Sequence, residues 1–187
     1  MGATSAARLR WMQHMAERES RILDSTLLQT QAQSVTFFAS TAILILGGVV
    51  AALGARDQAA EVVAGVPFAE RTSDLGWEIK IGLLAIIFIY AFFKFTWSMR
   101  QFNYTALLIG ATPPAADPEC APAIRRASRM GDLAVRHFND GIRAYYFGLA
   151  ALAWFIHPWA FVVASSWVVL VLWRREFRSN TLSALRD

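Results

Sequence analysis

Four apolar stretches, at residues 35–54, 77–99, 139–157 and 158–173, limit what this chain can fold into more than any other feature. A helix rises ~1.5 Å per residue, so each is near the length that crosses the ~30 Å hydrocarbon core of a bilayer. The chain is 56% hydrophobic, with a mean hydropathy of +0.37. Soluble domains usually stay near ~45–50% apolar. A soluble all-helical protein with unusually apolar helices is the alternative, and the length and low charge of the stretches argue against it. At 187 residues the whole forms one compact unit.

Charge sets the orientation. Arg8, Arg10, Arg18 and Arg21 precede the first stretch, and Arg100, Arg125, Arg126, Arg129 and Arg136 lie between the second and third. Arg174, Arg175, Arg178 and Arg186 follow the fourth. The connection between the first two stretches holds only Arg56 and Arg71, against Asp57, Glu61, Glu70 and Asp74. Basic residues near span ends stay in the cytoplasm. Both termini and the middle loop are therefore expected inside, with the first loop and the His157-Pro158 turn outside. The net charge of +4 would suggest nucleic acid in a soluble protein; its distribution here points to topology, and no nucleic-acid partner is expected. The first 34 residues are polar and charged, without a cleavable signal pattern, so the first span is expected to remain as an anchor. The lone Cys120 excludes an intramolecular disulfide and a thiol pair for a metal.

Around the spans, residues 4–33 read as an amphipathic approach helix with Leu9, Met12, Ala16, Leu23 and Leu27 roughly on one face. Gly47, Gly48, Ala51, Ala52 and Ala55 form small-residue rows on which another helix can approach closely. The outer loop contains Pro67, and Thr72, Ser73 and Asp74 are candidate N-caps for the second span. Pro113, Pro114, Pro118 and Pro122 predict an extended segment over 111–122. A second amphipathic helix is expected over 123–138, with Ile124, Ala127, Gly131, Ala134 and Phe138 at helical spacing. Pro158 cannot continue the preceding helix but suits a first turn, so spans three and four form a tight hairpin, either fully crossing or re-entrant.

Ionisable groups inside a membrane are costly, about 2.5–3.5 kcal/mol each on insertion scales, and they come first as candidates. The only two lysines, Lys80 and Lys94, both lie in the second stretch and share a helix face continued by Ser98 and Gln101. They either line a path for anions or snorkel to the interfaces. The tetrads Arg100-Gln-Phe-Asn103 and Arg136-His-Phe-Asn139 echo one another at the expected inner boundary. They read as a polar collar at the inner mouth or as common interfacial residue types. Asn139, Asp140 and Arg143, with Tyr145 and Tyr146, make the densest polar and aromatic patch, a ligand site or a capped helix start. His14, His137 and His157 are scattered without ligand spacing, so no metal or haem is expected. Phosphate loop, dinucleotide fingerprint, nucleophile elbow and zinc-protease helix are all missing from the sequence, and no cofactor is expected.

The run RILDSTLLQTQAQS over 21–34, FFASTAIL over 37–44, FTWSMRQFNY over 95–104 and HFNDGIRAYYF over 137–147 carry a resemblance over nearly the whole chain. Together they resemble a family of small four-span membrane proteins of bacteria and plants catalogued as a domain of unknown function. That resemblance implies the bundle and an inner-membrane location, and it assigns no residue a role. Sixteen arginines against two lysines suggest a GC-rich bacterial genome.

The expectation is an all-α, four-span transmembrane bundle with two cytoplasmic-side amphipathic helices, in a bacterial inner membrane. Its expected role is a non-enzymatic scaffold or accessory component that self-associates or binds another membrane protein. Arg125, Arg126, Arg129 and Arg136 would contact anionic lipid headgroups or an acidic partner, at roughly 1 kcal/mol each. The rival is an oligomeric channel or carrier for a small anion, its path formed by Lys80, Lys94, Arg100, Asn103, Asn139, Asp140 and Arg143. A membrane-embedded lipid or quinone enzyme is a third possibility.

Overall fold

The computed structural model of the protein describes residues 2–65 and 73–177, so Pro67, Glu70, Arg71, Thr72, Arg178 and Arg186 lie outside the described residues. Every element among the described residues is helical: α1 (Gly2–Glu17), α2 (Ile22–Gly54), α3 (Arg56–Ala64), α4 (Asp74–Gly110), α5 (Cys120–Ile156) and α6 (Pro158–Phe177). Two of them, α2 and α4, are long and apolar enough to cross a membrane. The apolar half of α5 opens on Asn139, Asp140 and Arg143, and the apolar run of α6 ends at Arg174, so neither reaches that standard.

The chain divides into two compact units. Among described residues, unit 1 holds 2–38 and 94–139 and unit 2 holds 39–65, 73–93 and 140–177. In unit 1, Met12, Met15 and Ala16 of α1, Leu28 and Val35 of α2, Phe95, Phe102 and Ile109 of α4, and Ile124, Ala127 and Ala134 of α5 are buried. Phe95 packs 5.6 Å from Phe38 and 5.8 Å from Phe138, centroid to centroid. On α4 the buried positions 95, 98, 102, 105 and 109 step by three and four, the spacing of a coiled-coil seam. Two of them, Ser98 and Thr105, are polar.

Unit 2 is built on Val49, Trp77, Ile81, Leu84, Phe88 and Ala151, with Ala59 and Val63 of α3 packed against them. Edge-to-face pairs join Trp77 to Phe155 and Phe88 to Tyr145, each at 5.2 Å. Gly148 is required by this packing, because a Cβ there would stand 2.7 Å from Phe88 Cζ. Trp154 stacks on Phe161 at 5.4 Å across the single-residue connection at His157, which forms the expected helical hairpin.

Several boundaries differ from the sequence reading. The approach helix breaks at residues 18–21, and Leu23 and Leu27 face outward. No proline or glycine marks that break; Arg18 pairs across it with Asp24, and Arg21 donates to the carbonyls of Ile109 and Thr112. Instead of extending, residues 111–119 turn: the Asp117 amide donates to Pro114 O, and Asp117 Oδ1 and O accept from the amides of Glu119 and Cys120. Pro122 then fits the first turn of α5, where its missing N–H has no helical partner to lose. The second amphipathic helix and the third apolar stretch are one continuous 37-residue helix. The outer loop contains α3, tied at its base by an Arg56–Asp74 ion pair. Ser73 is an N-cap, its Oγ accepting from the Gly76 amide at 3.2 Å. The small-residue rows on α2 receive no neighbour at their glycines, since nothing lies within 4 Å of a Cβ built at Gly47 or Gly48.

Candidate functional site

The densest chemistry in unit 1 begins where α1 meets α5. Ser5 Oγ and the Arg8 guanidinium both donate to Asp132, one to each carboxylate oxygen. Gly131 permits this approach: a Cβ there would come within 2.9 Å of Arg8 Cδ. A small cavity of about 200 Å³ opens beside the pair, lined also by Thr4, Arg136 and Asn139. The one base facing the Ser5 hydroxyl is Asp132, whose other oxygen is held in an ion pair by Arg8. The cluster is a charge-balanced clasp, not a nucleophile.

A second hub closes the α1–α2 turn. Asp24 is fully buried, and its Oδ1 accepts from Trp11 Nε1 at 2.6 Å and from Arg18 at 2.5 Å. Its Oδ2 is buried without a hydrogen-bond partner. Arg21, three residues earlier, donates to the carbonyls of Ile109 and Thr112 at 2.7 and 2.6 Å. Ile109 is in the last turn of α4 and Thr112 lies two residues past its end, so the cation sits at the negative end of the helix dipole, where the last carbonyls lack helical partners.

The two tetrads do meet, through residues other than the expected ones. His137 Nδ1 lies 2.9 Å from Gln101 Oε1 and 2.9 Å from Leu133 O. A carbonyl can only accept, so Nδ1 carries the proton. One turn away, Ser98 Oγ donates to Ala134 O at 2.7 Å. Arg100 and Asn103 are exposed. Arg100 Nε donates to Tyr104 Oη at 2.8 Å, with its guanidinium over the Trp97 and Tyr104 rings. The i, i+4 geometry of α4 puts tyrosine within reach of its own arginine.

The remaining candidates are distributed between the units. Lys80 belongs to unit 2 and is 6% exposed, its ammonium 5.7 Å from the ring centroids of Trp154 and Phe155. Lys94 is half-buried in unit 1. Asp140 and Arg143 form the expected i, i+3 pair at 3.9 Å in unit 2, and Asn139 lines the unit 1 cavity. Arg125, Arg126, Arg129 and Arg136 are all exposed along the first half of α5.

Sequence reasoning missed the Asp24 hub and the Ser5–Arg8–Asp132 clasp. A signal for the first was available: Asp24 is in phase with Leu28, Val35, Ala42 and Val49, so a carboxylate sits on the buried stripe of α2. For the second there was none, because residues 124 and more positions apart are joined only by folding. Among the described residues no group of three or more His, Cys, Asp or Glu side chains is placed to hold a metal ion.

Comparison with known proteins adds one relationship. No curated protein and no solved structure matches the chain. Residues 1–181 match DUF599, described as a protein of unknown function, and the chain belongs to that family.

Proposed function

We propose that the protein is an integral membrane component, crossing a bacterial inner membrane four times through residues 35–54, 77–99, 139–157 and 158–173, with both termini inside. Its role on this reading is to anchor a basic cytoplasmic helical bundle that self-associates or holds a membrane partner. The observation that carries the proposal is the exterior of unit 2. Leu44, Ile86, Phe93, Trp159, Val163 and Trp167 are each at least 65% exposed. The most apolar windows of α2 and α4 are only 22% and 33% buried, unlike core helices of a soluble protein. Apolar surface of this extent is unfavourable in water and neutral in lipid.

The shorter apolar run of α6, about 24 Å long at ~1.5 Å per residue, fits by local bilayer thinning and by the arginines and Trp173 at its end. The four exposed arginines of α5 then face anionic headgroups or an acidic partner. Lys80, placed under aromatic rings, supports a structural role over a lining of an anion path.

The experiment is alkaline extraction of native membranes together with cysteine accessibility in a Cys120→Ala background. The protein is expected to stay in the pellet, with His157→Cys labelled from the periplasm and Ser20→Cys only after permeabilisation. Release into the wash, or periplasmic labelling of Ser20→Cys, overturns the reading. Anion flux into liposomes that is abolished by Lys94→Met would favour the channel. A defined oligomer or co-purifying protein without flux supports the scaffold.

A further inference from the structure

We infer that the outer face of the α5–α6 hairpin is a binding groove for one anionic glycerophospholipid of the inner leaflet. This rests on the membrane reading above and goes beyond it, because it assigns a site and a ligand class. The groove has a volume of about 670 Å³. Its floor is Ala150 of α5 with Ala160 and Ala164 of α6, and Trp159 and Trp167 form walls. These indoles are 71% and 66% exposed, so no part of the described chain covers them. Small residues beside large aromatic ones leave an apolar groove in which dispersion contacts with a hydrocarbon chain add up.

Charge decides the occupant. Arg174 and Arg175 lie seven residues beyond Trp167 and Val168, which both line the groove. A seven-residue step is two helical turns, so the pair continues the same stripe at its cytoplasmic end. Both are exposed. Of the carboxylates near this end, Asp140 is paired with Arg143 and Glu176 directly follows Arg175, so Arg174 and Arg175 still leave the end net positive by one charge. From Ala164 to Arg174 the helix rises about 15 Å, the thickness of one leaflet's hydrocarbon. An acyl chain lying on Ala164 thus brings its phosphate to the arginines.

The test uses the full-length protein in neutral detergent, offered phosphatidylglycerol or phosphatidylcholine with matched 16:0–18:1 chains, with lipid retention counted by native mass spectrometry. Phosphatidylglycerol is expected to be retained over phosphatidylcholine by roughly 10- to 30-fold, since two basic side chains at a surface contribute on the order of 1 kcal/mol each. Arg174→Gln/Arg175→Gln should bring the two lipids close to parity. Ala164→Trp, which fills the floor, should remove tightly retained lipid of both kinds. Brominated-chain phosphatidylglycerol should quench the parent's tryptophan fluorescence by a larger fraction than that of Trp159→Phe/Trp167→Phe, which keeps five of the seven tryptophans. Equal retention by the parent, a preference that survives the arginine change, or retention unaffected by Ala164→Trp overturns the site. So does a parent dimer that Ala164→Trp converts to monomer without altering lipid retention. Resistance to alkaline extraction is scored separately for every variant: lost retention with insertion intact overturns only the groove, and lost insertion of the parent overturns the membrane reading.

Discussion

The two units bury different kinds of side chain. Unit 1 encloses Asp24, Ser98, Gln101, Thr105, Thr112 and Ser128, whereas among the described residues of unit 2 Lys80 is the one buried charged or polar side chain. Unit 2 relies on ring packing and on the close approach that Gly148 allows to Phe88. The contrast follows from the solvent on the membrane reading. Where water surrounds a bundle, apolar burial supplies the driving force and buried hydrogen bonds can be spent on fixing register. Where lipid surrounds it, burial of an apolar side chain gains little, and shape complementarity must do the sorting.

Four substitutions test that contrast. The largest effect is expected in unit 1. Asp24→Leu strands the Trp11 indole and the partly exposed Arg18, and should destabilise the protein by about 3 kcal/mol. It should also raise proteolysis at residues 18–21. Cleavage there unchanged from the parent would mean that the Asp24 hub does not hold the turn. In unit 2, Gly148→Val drives methyl groups into the fully buried Phe88 ring and should cost about 2 kcal/mol in thermal unfolding in detergent. A melting temperature equal to that of the parent would show the packing to be loose.

A smaller loss, about 1 kcal/mol, is expected for Gln101→Leu, which removes the partner of His137 but leaves Leu133 O to accept its proton. Imidazole NMR should still report an Nδ1–H tautomer; the Nε2–H form would contradict the assignment. The smallest effect belongs to Lys80→Met, within about 1 kcal/mol, because a buried cation's ring contacts and desolvation oppose each other. Loss of folding on that change would make Lys80 the keystone of unit 2 and end the comparison in its present form.

Much of the architecture could be read from composition and spacing. The Ser73 cap and the His157-Pro158 hairpin follow from local chemistry, as side-chain capping and the proline ring act within a few residues. Helix ends that depend on distant groups could not be read. Gly110 and Pro113-Pro114 mark the end of α4 locally but not that Arg21 donates to the carbonyls of Ile109 and Thr112 there, and no proline or glycine divides α1 from α2. The sequence echo marked the two tetrads, but not that Gln101 and His137 are the members that meet within the chain. Arg100 lies within reach of Tyr104 on its own helix, while Gln101 and His137 point inward.

What the sequence by itself determined is the helical class and the long apolar stretches, because backbone periodicity and hydrophobicity are local properties that sum along the chain. Only the tertiary structure decided which polar groups are buried and which are left to the surface. A hydrogen bond such as Arg8 to Asp132 joins residues far apart in sequence, and its partners are fixed by how helices pack.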